Sequence, residues 1–184
     1  MSSIRLPGPT PMSEHEPTAV TNLDIYGCDA LPWSRARDLL PENFTKMETP
    51  VFLGTASPDG RPHAAGIGAA WHDGEIYFTS GPGTRKSRDL EANPACTISV
   101  RLPGIDVVLE GEAHRVTDLG TIEQVAAHYA SGGWPAEADG EGGITAPFSA
   151  PSAGRPPWHL YRFTVRSAVG VASAEPYGAT KWTF

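Results

Sequence analysis

The segment WHDGEIYFTSGPGTRKSRDLEANP, residues 71–94, carries the clearest structural signal in the chain. His72, Asp73 and Gly74 spell a tight turn, and Glu75 to Ser80 follow as a run of β-branched and aromatic residues, which together predict a β-hairpin. The period then changes. Gly81, Pro82 and Gly83 break the strand, Thr84 supplies a helix cap, and Arg85 to Asn93 predict a short helix that ends at Pro94. Hydroxyls at a strand end, a glycine turn, a helix N-terminus and three cations at positions 85, 86 and 88 are the ingredients of an anion site, a phosphate above all. A solvated basic helix face is the competing reading of the same residues.

Upstream, Ala64 to Trp71 forms the first arm of that hairpin and is almost all Gly and Ala, a composition that marks a strand to which a ligand or another backbone comes close. Before it, Val51 to Ala56 and the Ser57-Pro58-Asp59-Gly60 turn predict another hairpin, which leads into Arg61 to His63. Trp33, Ala36, Leu39 and Leu40 recur at helical spacing, and this helix is expected to stop at Pro41. Residues 1–30 read as a mobile arm, leaving 31–184 as one domain of ordinary size.

Downstream, Ala95 to Val100 and Asp106 to Val116 are strands joined at Pro103 and Gly104. Asp118 caps a helix running to Tyr129, and Trp158 to Val165 alternates as the last long strand. Between these two lies Gly132 to Pro157, rich in Gly, Pro, Ala and Ser. Its length suggests a lid over a pocket. Six strands with short flanking helices predict a mainly β (α+β) fold, a closed or nearly closed antiparallel barrel, with an open sandwich as the alternative.

Composition narrows function. The 184 residues carry 14 Lys and Arg against 21 Asp and Glu, a net charge of -7, which argues against nucleic acid as a partner. No apolar run is long enough for a membrane span, and no signal peptide is evident, so a cytoplasmic location is expected. Two cysteines, Cys28 and Cys96, and six scattered histidines spell neither a zinc site nor a disulfide framework. Arg85 stands where a Walker motif needs glycine, and the G-x-S-x-G elbow is absent. Trp71 and Trp182 fill the core, an interface, or one wall of an aromatic ligand's pocket.

The order and spacing of LPWS (31–34), GRPH (60–63), WHDGEIYFTS (71–80), TRKSRDLEANP (84–94), LEG (109–111) and ATKWTF (179–184) resemble the pyridoxamine 5'-phosphate oxidase-like split β-barrel family, in its flavin/deazaflavin-dependent oxidoreductase branch. The resemblance implies a homodimer holding FMN or coenzyme F420 at each end of its interface and transferring hydride to or from a small organic substrate. It places Thr79, Ser80, Arg85, Lys86 and Arg88 at the cofactor phosphate, Gly66, Gly68 and Ala69 beneath the ring system, and His63 and Trp182 nearby. No side chain stands out as the catalytic acid or base; Tyr77, His63 and Tyr129 are the possible proton donors. True pyridoxamine phosphate oxidases carry an Arg and a Lys on the strand before the second hairpin turn, where this chain reads Ala and Gly, which argues against vitamin B6 oxidation. The lack of those cations favours F420, whose phosphate continues into a lactyl-oligoglutamate tail. A non-catalytic flavin- or haem-binding split barrel is the alternative. In the closing motif Lys181 stands where the branch usually has Arg.

Overall fold

The structure, a computed structural model, describes residues 16–44, 46 and 48–184. In chain order its elements are β1 (Ala19–Asn22), α1 (Ser34–Arg37), α2 (Leu40–Phe44), β2 (Val51–Ala56), β3 (Pro62–Gly66), β4 (Ala69–His72), β5 (Glu75–Ser80) and α3 (Arg85–Ala92). Then follow β6 (Ala95–Leu102), β7 (Ile105–Arg115), α4 (Leu119–Ser131), the two-residue strands β8 (Glu137–Ala138) and β9 (Ile144–Thr145), a 3-10 turn (Pro151–Ala153), β10 (His159–Ala172) and β11 (Ala179–Thr183).

Both expected hairpins form. The second turns on Asp73 (φ 51°) and Gly74 (φ 79°); positive φ at both central positions matches the right-handed twist of the flanking strands. The helix caps also form: the Thr84 hydroxyl accepts from the Ser87 amide, and the Asp118 carboxylate accepts from the Thr121 amide at 2.8 Å.

Nine strands make one antiparallel sheet, ordered β1-β11-β10-β7-β6-β2-β3, with β5 also pairing β10 and β4 pairing β5. β10 is the spine. Along one edge it pairs β7 throughout; along the other, its first half pairs β5 and its second half pairs β11. A register shift between Val165 and Ser167 leaves Arg166 as the extra residue, and such a bulge bends the strand where its partner changes. The sheet splits there. The expected mainly β, antiparallel split barrel is thus the observed fold; its sheet does not close, and among the described residues eleven strands form where six were expected.

Several boundaries move for physical reasons. The Gly/Ala strand breaks into β3 and β4 at Ile67 and Gly68, because the chain there leaves the β2 edge and joins β5. Pro41 does not stop a helix. It sits in the first turn of α2, where its missing N–H costs nothing. Within the expected mobile arm, Ala19–Asn22 form an edge strand on β11 in register with Thr180 to Thr183; residues 1–15 lie outside the described residues. Gly132 to Pro157 is not structureless, since it holds the β8–β9 hairpin and the 3-10 turn.

Two apolar clusters hold these parts. The larger packs Leu53, Ile98, Leu109, Phe163 and Trp182 under the sheet; the smaller packs Ile122 and Val125 of α4 against Tyr77, Ile144, Trp158 and Leu160. Burying each such side chain contributes about 1.5–3 kcal/mol. The smaller cluster anchors the 132–157 segment beside the β4–β5 hairpin.

Candidate cofactor site

A cavity of about 500 Å³ lies among β4, the end of α4, the end of α2 and the 148–153 segment. Residues 66–70, where the chain crosses from β3 to β4, line it with Gly66, Ile67, Gly68, Ala69 and Ala70. A Cβ added at Gly66 or Gly68 would meet nothing within 4 Å, so the space over these glycines is open and takes a flat group. Aromatic side chains of Phe44, Tyr129, Trp134 and Phe148 also line it. Trp134 meets Tyr129 edge-on at 5.1 Å, lies 5.6 Å from Trp158, and donates its indole N–H to the Phe148 carbonyl at 2.6 Å. The Tyr129 hydroxyl donates to the Gly68 carbonyl at 3.0 Å, which ties α4 to the crossover.

The electrostatics are one-sided. Although the chain carries 21 acidic residues, among the described residues no Asp or Glu lines the cavity, whereas Lys46 and Lys86 do. Lys46 pairs with Glu42 at 2.6 Å. Lys86 is 4% exposed, donates to the Ser152 carbonyl at 2.8 Å, and has no carboxylate partner among the described residues. Burial pushes its pKa down. A buried ammonium held by one neutral carbonyl retains donors and charge for an anion. Beside it, the Gly81 amide donates to the Ala153 carbonyl at 2.9 Å, and a Cβ at Gly81 would lie 2.4 Å from that oxygen. Only glycine lets the 148–153 segment come this close.

The residues expected at the cofactor divide. Gly66, Gly68, Ala69, Thr79 and Lys86 all line the cavity. Ser80 does not; it is fully buried, within 2.8 Å of the Thr84 hydroxyl and 2.7 Å of the Ser87 hydroxyl, where it ties the strand end to the helix. Arg85 and Arg88 lie on another face of α3, over a separate depression of about 460 Å³ that they share with Arg61, Asp59 and Asp89. Residues 85, 88 and 89 recur at helical spacing and Lys86 falls outside that stripe, which corrects the expectation that all three cations meet one phosphate. His63 lies on edge strand β3, outside the cavity lining. Trp182 is corrected to core: it is fully buried, packs tilted against Trp33 with ring centroids 5.3 Å apart, and donates its indole N–H to the Leu31 carbonyl at 3.1 Å.

The possible proton donors divide too. Tyr77 is buried in the smaller cluster and does not line the cavity, while the Tyr129 phenol does and is pushed well above its ordinary pKa by burial, so it stays protonated. His128 is absent from the expected set. It lines the cavity from the last turn of α4, with its ring centroid 5.2 Å from that of His72. Burial first, and the nearby His72 second, lower its pKa, so the imidazole is neutral at pH 7. Nothing in its local sequence marks it; only the packing of α4 on β4 brings it to the cavity. Among the described residues no group of three or more His, Cys, Asp or Glu forms a metal site.

A flat floor of small residues, aromatic walls and a buried cation are the geometry of a site for a planar anionic ligand, and residues 42–166 match the pyridoxamine 5'-phosphate oxidase family. The chain belongs to that family. Solved structures share the family fold at low identity. A NimC/NimA family protein from Clostridium acetobutylicum is 18% identical with a TM-score of 0.53, covering 82% of this chain and 91% of that one. A pyridoxamine 5'-phosphate oxidase-related, FMN-binding protein from Nostoc punctiforme is 16% identical with a TM-score of 0.52, covering 83% and 91%. A heme-binding protein from Mycobacterium smegmatis is 17% identical with a TM-score of 0.52, covering 76% and 56%. No curated protein matches the chain. Among the described residues, no helix is long and apolar enough to cross a membrane.

Proposed function

We propose that this family member is a cytoplasmic, homodimeric oxidoreductase that uses a flavin-type cofactor, coenzyme F420 in preference to FMN, on a small organic substrate. The observation that carries this reading is the cavity itself, with open space over Gly66 and Gly68 at its floor and the unpaired, buried Lys86 ammonium in its lining. The residues fit such a cofactor. Lys86 would hold the phosphate together with the Thr79 hydroxyl, and the 66–70 crossover would lie under the ring. When bound, the cofactor supplies the hydride chemistry. The protein would bind and orient it: Tyr129 fixes the crossover through Gly68, and Trp134, held by the Phe148 carbonyl, would wall the ring. With no carboxylate among the described lining residues and the Tyr129 proton held tightly, His128 is the lining imidazole that could exchange a proton with substrate.

Support for the dimer is a row of residues across one sheet face. Phe52 pairs Ser99, Ser99 pairs Val108, and Val108 pairs Val169, while Phe52 is 50% exposed. Three apolar residues about one serine on a solvent-facing sheet suit a second copy. Sedimentation showing a monomer at micromolar concentration would remove this part.

The test is equilibrium titration of the purified protein with F420 and with FMN, for wild type and Gly68→Leu. The leucine enters open space, so the melting temperature is expected to move by no more than a few degrees while affinity falls at least tenfold. Unchanged affinity would take the ring off the 66–70 crossover.

A second reading is a non-catalytic haem carrier, favoured by one observation: His128 lines the cavity, and an imidazole is a ligand for haem iron. Haem titration separates the two. A Soret shift that His128→Ala abolishes would support the carrier, and its absence would leave the flavin-type reading.

A further inference from the structure

Two histidines from different elements meet at the rim of the cavity. His72 ends β4, and His128, which lines the cavity, stands in the last turn of α4; their ring centroids are 5.2 Å apart and their planes are tilted by 47°. Both are half-buried, and among the described residues neither imidazole makes a hydrogen bond. We propose that His72 and His128 are the two protein ligands of an open site for a borderline divalent cation, Zn²⁺ or Cu²⁺.

The spacing suits one metal ion shared by both rings. A cation bound to imidazole lies about 2.0–2.1 Å from the ring nitrogen, with the ring centroid about 1.1 Å farther along, so two rings on one tetrahedral centre stand about 5.2 Å apart. The observed separation matches. It is also held in place, because α4 is tied to the hairpin that carries His72. The Tyr129 hydroxyl, on the residue after His128, donates to the Gly68 carbonyl just before β4 at 3.0 Å and lies 3.4 Å from the Tyr77 carbonyl of β5. Ligands already set at their bound spacing lose little freedom when the ion arrives.

Glu75 adds a charge of the right sign. It stands directly opposite His72 in the β4–β5 register, and such pairs share one face of the sheet with Cβ atoms about 4.5–5.5 Å apart. Glu75 is half-buried, and among the described residues its carboxylate makes no hydrogen bond or ion pair. The charges nearest to it, Arg162 on β10 and Asp73 in the turn, oppose each other. A metal-bound imidazole commonly gives its second N–H to a carboxylate, and Glu75 is the acid placed to receive it from His72. Among the described residues no third His, Cys, Asp or Glu completes a metal-binding group. Two protein ligands leave coordination positions for water or for an oxygen of another molecule, as in open rather than structural sites. A cation held there occupies an imidazole nitrogen of His128, and so holds back any reaction that draws on its proton.

The experiment needs no cofactor. The full, tag-free chain, stripped of metal with a chelator, is titrated with ZnCl₂ or MgCl₂ by calorimetry and with CuCl₂ by electron paramagnetic resonance. One equivalent of Zn²⁺ is expected to bind with a micromolar Kd, Mg²⁺ is not expected to bind, and the Cu²⁺ spectrum should show splitting from two imidazole nitrogens. His72→Gln and, independently, His128→Gln should each weaken Zn²⁺ binding at least tenfold while the metal-free melting temperature stays within a few degrees of wild type. Glu75→Gln should weaken it about tenfold, as loss of an outer carboxylate does; unchanged affinity there would overturn the role of Glu75. No binding of either metal to wild type, or binding that survives either histidine substitution, would overturn the site. A Cu²⁺ spectrum without splitting from two nitrogens overturns it however the variants fold.

Discussion

Replacing Lys86 by Met separates the binding role of that residue from its structural one. The ammonium is 4% exposed and faces a carbonyl, so its pKa is depressed by burial below the unfolded value of 10.5. Between the folded and unfolded values unfolding takes up a proton, hence the stability of the ligand-free protein rises with pH through that window. Below that window both states are charged, and the buried charge costs the folded one. Methionine removes that cost at similar volume and gives up one hydrogen bond to the Ser152 carbonyl, worth about 1 kcal/mol. The net change should stay within about 1.5 kcal/mol of either sign, which moves the melting temperature of a domain this size by no more than about 3–6 °C. Affinity for a phosphate-bearing ligand should behave differently. Losing one charge-assisted contact costs about 1.5–3 kcal/mol, on the order of ten- to a hundredfold in Kd. Calorimetric scans and fluorescence titration on the same preparation read both quantities. A Kd within twofold of wild type would refute the phosphate site at Lys86, and a melting temperature lowered by more than 10 °C would show that the lysine is chiefly structural.

Trp182→Phe should lower the urea midpoint, because the Leu31 carbonyl loses its indole partner at a cost of about 1–3 kcal/mol, and should leave ligand affinity unchanged; weaker binding without destabilisation would return Trp182 to the site. His128 carries a pKa lowered by burial and then by His72, so its stability contribution is complete above the unfolded value of 6.5 and declines as pH falls from there toward the lowered folded value. His159, lowered mainly by burial, acts in the same direction. Urea midpoints from pH 5 to 7.5 should therefore rise with pH, and His128→Gln should flatten the slope without abolishing it; an unchanged slope would place the proton uptake elsewhere.

Local signals in the sequence carry most of the fold. Asp73 and Gly74 specify their turn, Thr84 and Asp118 cap their helices, and the alternation from Trp158 onward marks β10. The signals weaken where tertiary pairing decides. The Gly/Ala run has no side-chain pattern to show that it changes partner at Ile67, so one strand is expected where two form. β1 is four exposed residues, and only its pairing with β11 makes it a strand. Likewise, Pro41 reads as a stop until α1 ends at Arg37 and a new helix begins at Leu40.

The candidate site shows a different limit. Arg85, Lys86 and Arg88 are nearly contiguous in the chain, and contiguity suggests one binding site. A helix turns 100° per residue, however, so adjacent side chains diverge, and what they meet depends on what packs against each face. Lys86 meets the 148–153 segment, which is held by Gly81, Trp134 and Trp158 through the carbonyls of Ala153, Phe148 and Gly154. Arg85 meets the β2–β3 hairpin through the carbonyls of Arg61 and Pro62. Neither partner lies near α3 in sequence. Charge composition thus says that the helix attracts anions, while the division of its cations between the cavity and a separate depression follows from long-range packing alone.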